Sequence, residues 1–197
     1  MGKYVVKTAV ITVLCIIGAL IVIFFALFLF SPKTLGNAFS ATGNKSAAAF
    51  FYSRQYEKSG SCSDLAVLID VYDQKTDAGK VYGYCAELTG KPDFDAFCEE
   101  NDAGRRAGIT TAEYYYAKCA ISAYYEKGID TCVSVCTESV DLSGYTAFNA
   151  FRYVISAVEL TDVDKVAMRD KIDELIATSL TETEKTYANA DRNGLEG

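Results

Sequence analysis

The residues with the widest chemical reach in this chain are its cysteines. Six of the seven lie beyond residue 60, at positions 62, 85, 98, 119, 132 and 136. An even number admits disulfides where the compartment is oxidising. The spacings match no zinc framework. Cys132 and Cys136 stand four apart, neighbours on one helical face, where a bridge would strain an intact helix. Cys85, Cys98 and Cys119 stand among Tyr84, Phe97 and Ala120, surroundings in which a thiol serves as a small apolar residue. Two readings stay open, core thiols and interhelical disulfides, with the apolar neighbours favouring the first.

Other reactive constellations are missing. The chain has no histidine, which removes the commonest general base, the commonest metal ligand and the physiological pH switch together. The stretch Gly104-Arg105-Arg106-Ala107-Gly108 lacks the lysine and the strand-to-helix setting of a phosphate-cradling loop. Its arginine pair reads as solvated loop, and Glu99-Glu100 as solvated surface. The expectation is a protein that is not an enzyme, with no cofactor and no metal site.

The 14 tyrosines offer binding chemistry instead. Tyr114, Tyr115, Tyr116, Tyr124 and Tyr125 fall on one expected helix, and Tyr52, Tyr56, Tyr82 and Tyr84 on matching ones. Packing is their expected role, with rings buried and hydroxyls reaching the helix edge. The sharper alternative is a ligand-lining face, for which Tyr52, Tyr56, Tyr82, Tyr115 and Tyr124 are the candidates.

The elements that must position these residues begin with an anchor. Residues 8–30 form 23 positions without a charge, which as a helix would extend roughly 35 Å, enough to cross a bilayer with some tilt. A cleaved signal peptide is the competing reading, and Ala38-Phe39-Ser40 offers small residues at a suitable spacing. The apolar core is longer than such peptides use, so an uncleaved signal anchor is expected. Lys3, Lys7 and the amino terminus precede the span and Lys33 follows it, which places the N-terminus in the cytoplasm and the rest of the chain outside.

Beyond residue 33 the chain holds 16 basic and 26 acidic residues, a balance of −10. Such a surface repels phosphate backbones and anionic lipid, and nucleic acid is not an expected partner. Residues 31–45 are rich in Ser, Gly, Thr and Asn and read as a linker. Asn44-Lys45-Ser46 within them is a glycosylation sequon that chance explains.

From residue 46 apolar residues recur at helical spacing, and Gly60, Gly90 and Gly128 close successive segments. Start signals follow each: Ser61 with Asp64, Pro92, Asp130, and then Thr161 with Asp164. First helices are expected at about 46–59, 78–89, 111–127 and 146–160, and partners at about 62–74, 92–101, 129–140 and 162–180. The breaks near 60, 90, 128 and 161 recur at about the 34-residue period of one solenoid class.

On Ala49, Tyr56 and Gly60, on Gly83 and Gly90, and on Ala117, Tyr124 and Gly128, the region from about 45 to 180 resembles the tetratricopeptide-repeat family. It departs from that family in having no tryptophan and no repeat-closing proline. Joined to the anchor read from residues 8–30, the resemblance implies an all-α fold: an N-terminal transmembrane helix followed by a small α-solenoid of about four helical hairpins. The expected organisation is a flank at 1–7, the span at 8–30, the linker at 31–45, the repeat domain at 46–180 and a flexible tail at 181–197. With the anchor and the acidic balance, the expected function is a module held in the lipid bilayer that presents an acidic surface to a protein or peptide partner. The alternative is a structural or accessory subunit recruited through its transmembrane helix.

Overall fold

The computed structural model describes residues 2–104 and 108–196, with side chains from residue 7 onward. Arg105 and Arg106, expected in a solvated loop, lie outside the described residues. Among the described residues there are eleven helices and no strand, so the all-α expectation holds. The chain divides into two compact units, Met1–Asp64 and Leu65–Gly197.

The first unit contains α1 (Gly2–Phe30), α2 (Pro32–Ala41), α3 (Lys45–Ser59) and the start of α4 (Cys62–Asp73). Within α1, Lys7–Phe30 has a mean hydropathy of 3.2 and is long and apolar enough to cross a membrane. The expected linker is a correction, because most of it is α2. Pro32 suits a first helical turn, where its fixed φ and missing N–H cost nothing. Pro32, Leu35 and Gly36 are buried as α2 packs on α3. Gly36, which read as a loop signal, is a close approach instead: a Cβ there would stand 2.7 Å from the ring of Tyr52. Asn44, the sequon residue, caps α3 by accepting the Ala47 N–H at 3.1 Å. At its other end α3 closes on Gly60 in the left-handed region (φ 60°), as expected.

Asp64 ties these pieces together. Only 6% exposed, it accepts Lys33 Nζ at 3.0 Å on one oxygen, and Ser59 Oγ at 2.7 Å and Gln55 Nε2 at 3.0 Å on the other. The capping box expected at Ser61 and Asp64 is therefore only half formed. Ser61 Oγ accepts the Asp64 N–H, but the carboxylate is drawn to Lys33, Gln55 and Ser59 rather than back to the Ser61 N–H. Burial pushes the Asp64 carboxyl up, and the hydrogen bonds from Ser59, Gln55 and Lys33 outweigh it and hold it below its ordinary value.

The second unit holds the rest of α4, then α5 (Ala78–Thr89), α6 (Phe94–Glu100), α7 (Thr111–Lys127), α8 (Ile129–Ser143), α9 (Ala150–Ala157), α10 (Asp162–Thr178) and α11 (Glu182–Gly194). The expected helices recur here with small shifts. Pro92 lies in the turn before α6 rather than inside it, and α9 starts at Ala150, not 146. Helix α7 is the centre of the unit and packs against α5, α8 and α9, while α8 also meets α10. Ala117, Cys119, Ala120, Ser122 and Ala123 are all buried along it. Small side chains let several helices approach one axis, and a helix covered on most sides carries no narrow apolar stripe.

The expected flexible tail is the second correction. Thr181 and Glu184 form a reciprocal capping box that starts α11, as Thr161 and Asp164 do for α10. Helix α11 is then held at Asp191, which is 5% exposed. Its carboxylate accepts Arg152 Nε at 2.6 Å and the hydroxyl of the fully buried Tyr145 at 3.0 Å.

Candidate functional site: an acidic groove between α5 and α7

Helix α4 runs out at Asp73, and a turn through Thr76 (φ 55°) reverses the chain into Asp77. The Asp77 side chain caps α5 by accepting the Lys80 N–H at 3.1 Å. Opposite, α7 presents Lys118, Ile121, Ser122 and Tyr125, spaced three and four apart on one helical face. Between them lies a groove of about 410 Å³ lined by Asp73, Thr76, Asp77, Ala78, Val81, Ile121, Ser122 and Tyr125. That volume is near the lower end for small-molecule sites and leaves ample room for one side chain.

The lining has a clear polarity. Val81, Ala78 and Ile121 give it an apolar floor, and the ring of Tyr125, 62% exposed, stands at its side. Asp73 and Asp77 supply acid at the rim, and Glu126 lies close by, its carboxylate 3.0 Å from where a Cβ on Gly79 would be. Ser122 is 7% exposed, and its hydroxyl, opening on the groove, makes no hydrogen bond among the described residues.

Lys118 stands at the edge of this acid and partly neutralises it. Its Nζ lies 2.7 Å from Asp73 Oδ2 and 3.5 Å from Asp70 Oδ1, and 5.3 Å from the centre of the Tyr114 ring. Burial pushes the ammonium down, but the Asp73 and Tyr114 contacts outweigh it and hold its pKa well above the ordinary value. Lys118 stays charged, one oxygen of Asp73 is occupied, and the second oxygen of Asp77 remains available. An apolar floor under carboxylates fits an organic cation on an aliphatic stem, as in lysine or arginine.

The five tyrosines singled out in the sequence are divided between the two units. Tyr52 and Tyr56 belong to the first unit, and Tyr82, Tyr115 and Tyr124 to the second. Tyr52 is buried and donates to Asn37 Oδ1 at 2.8 Å. Tyr56 is half-buried on the same helix. Tyr115 is buried against Phe97 at 5.9 Å between ring centres, and burial raises its pKa well above the ordinary value. Tyr124 donates to Asp164 Oδ2 at 2.8 Å and so ties α7 to the start of α10. Tyr82 lines a smaller cleft of about 280 Å³ with Tyr116, Thr131 and Glu138. Tyr125, grouped with these in the sequence but not singled out, is the ring that borders the groove.

None of the seven cysteines is in a disulfide, and Cys62, Cys85, Cys119, Cys132 and Cys136 are buried. Burial pushes Cys119 up to about 12 and holds Cys85 and Cys136 well above their ordinary value, with a Cys132 hydrogen bond adding to the shift at Cys136. A thiol protonated at neutral pH is neither a nucleophile nor a good metal ligand. Among the described residues no group of three or more His, Cys, Asp or Glu is arranged to hold a metal ion.

Comparison with known proteins finds no matching family, no matching curated protein and no matching solved structure.

Proposed function

We propose that this chain is a single-pass, membrane-anchored interaction module, and that its groove between α5 and α7 takes a lysine or arginine side chain from a protein or peptide partner. The observation that carries this reading is the free Ser122 hydroxyl set over an apolar floor beneath Asp73 and Asp77. Helix packing supports the hairpin-stack architecture behind it. In the second unit the first helix of each hairpin meets the next first helix, α5 on α7 and α7 on α9, and α8 meets α10 likewise. That is how stacked hairpins of the tetratricopeptide type bury their faces, and the groove lies on the first-helix side.

Helix α1 supplies the anchor in this proposal. The proposed orientation keeps the N-terminus cytoplasmic, on the strength of Lys3, Lys7 and the amino terminus. A cysteine placed at Phe148, 46% exposed, and labelled in intact cells with a membrane-impermeant reagent above the level set by the seven native thiols tests it. Labelling only after permeabilisation would reverse the orientation.

The groove is tested by titrating full-length protein in detergent with lysine- and arginine-containing peptides and with acidic peptides of the same length. Asp77→Asn is the informative variant, because asparagine keeps the α5 cap while removing the charge. A loss of about fivefold in affinity for the basic peptides is expected, the scale of one partly screened charge pair. Equal binding of basic and acidic peptides by both proteins would sink the groove reading.

The rival reading, an accessory subunit recruited through α1, rests on the apolar Lys7–Phe30 stretch, whose side chains are left uncovered over most of its length. Replacing residues 8–30 with an unrelated spanning helix separates the two, and association that survives the exchange excludes the rival.

A further inference from the structure

We infer that the first unit carries a collar for anionic lipid headgroups, in which Arg54 and Lys58 on α3 hold lipid phosphates while Phe50 enters the acyl layer beneath them. This rests on the proposed reading of α1 as a membrane span.

Helix α3 is packed against the final turns of α1, not beyond its end. The Phe51 ring centre lies 6.4 Å from that of Phe24 and 6.1 Å from that of Phe28, and Phe50 stacks on Phe28 at 6.4 Å. Phe24 precedes the end of α1 by six residues, about 9 Å along the axis. If α1 crosses the bilayer to Phe30, the middle of α3 is level with the outer part of the acyl layer. Phe50 is 53% exposed there and Phe30 81% exposed, apolar surface that water would otherwise cover.

The cations follow in register. Phe50, Arg54 and Lys58 are four apart along α3 and share one face, so apolar contact gives way to positive charge from the acyl side outward. The Arg54 guanidinium sits 4.9 Å from the centre of the Phe28 ring, and Lys58 Nζ donates to the Leu29 carbonyl at 3.0 Å. Neither has a carboxylate partner among the described residues, whereas Lys33 is spent on Asp64. On the same side of the span, residues 31–64 hold 4 basic and 2 acidic residues, a net charge of +2. The −10 balance after residue 33 comes from the second unit, at −11, against +1 for residues 34–64. Basic residues held at a membrane surface attract anionic headgroups, and aromatic side chains favour the same interface.

The chain contains no tryptophan, so a single introduced one reports without background. Full-length Phe50→Trp and, as a reference in the second unit, Phe148→Trp are reconstituted in vesicles of phosphatidylcholine with and without phosphatidylglycerol. Lipids brominated near the headgroup end of the acyl chain should quench the tryptophan at 50 and leave that at 148 bright. Preference for phosphatidylglycerol over phosphatidylcholine, read by native mass spectrometry of the lipid-bound protein, should fall about fivefold for each cation removed in Arg54→Gln and Lys58→Gln. Arg54→Lys should keep it. Protein stripped from the vesicles by alkaline carbonate would refute the span, and the collar with it. Protein that resists carbonate but shows no quenching at 50, or an unchanged lipid preference in the double Gln variant, would refute the collar alone.

Discussion

The two units use aromatic residues and charge in opposite ways. The first carries 7 of the 11 phenylalanines, 3 of the 14 tyrosines and a net charge of +4; the second carries 4 phenylalanines, 11 tyrosines and a net charge of −11. A phenylalanine has no polar group to satisfy, so rings such as Phe28 and Phe50 suit contact with hydrocarbon. A tyrosine needs water or a partner for its hydroxyl, as Tyr124 finds in Asp164 and Tyr145 in Asp191. The difference teaches that one overall net charge describes neither unit.

Beneath that contrast the units share a device, a buried aspartate that gathers separate helices. Asp191 holds α11 through Arg152 and Tyr145, and Asp64 holds α2, α3 and α4 through Lys33, Gln55 and Ser59. The largest effect is expected at Asp191→Ala, which leaves the buried Tyr145 hydroxyl without its acceptor and the Arg152 guanidinium with only the Ala147 carbonyl, at 2.8 Å. A loss of about 3 kcal/mol in the second unit is expected, the scale of breaking one side of a buried ion pair. Urea unfolding followed by circular dichroism checks it, and a loss within error of zero would remove Asp191 from this shared role.

Asp64→Asn should cost the first unit about 2 kcal/mol, since charge-assisted bonds to Lys33, Ser59 and Gln55 become neutral or are lost. The pH dependence has a defined sign. The folded pKa of Asp64 is depressed, so its contribution is complete above the unfolded value of about 3.9 and disappears as pH falls through the lower folded value. Acid titration of wild type and Asp64→Asn should therefore converge below that range. Curves that stay parallel down to the acid limit would deny Asp64 this role.

The smallest expected effect sharpens the contrast at its steric end. Gly36→Ala forces the Tyr52 ring from a position 2.7 Å from the new Cβ, at a cost of about 1 to 2 kcal/mol, unless helix propensity offsets it. Pairing it with Tyr52→Leu, which removes the ring, should recover most of that loss. A double variant no more stable than the additive sum would show that the ring is not the obstacle.

Most of the helices were legible in the sequence. The expected segments at 78–89 and 111–127 coincide with α5 and α7, because apolar periodicity and glycine caps act within a few residues. Helix α11 carried a local signal too: Thr181 and Glu184 repeat the spacing of Thr161 and Asp164, but the polar composition around them suggested a tail. Helix α2 gave weaker notice, since Ser, Gly and Thr are poor helix formers and only burial against Tyr52 makes Gly36 useful there.

The groove was not legible at all, although Asp77 was visible as a capping residue type and Tyr125 as one of a tyrosine-rich helix. Asp73 and Asp77 meet Ser122 and Tyr125 only because α5 packs on α7, with more than 40 residues of chain between them. The sequence by itself determined the apolar N-terminal helix, most helix boundaries and the absence of histidine chemistry, since these depend on composition and on neighbours within a turn or two. Tertiary structure alone decided which tyrosines are buried, where the carboxylates gather and that Arg54 and Lys58 lie beside the end of α1. Those are distances between residues far apart in the chain, set by packing that no local pattern encodes.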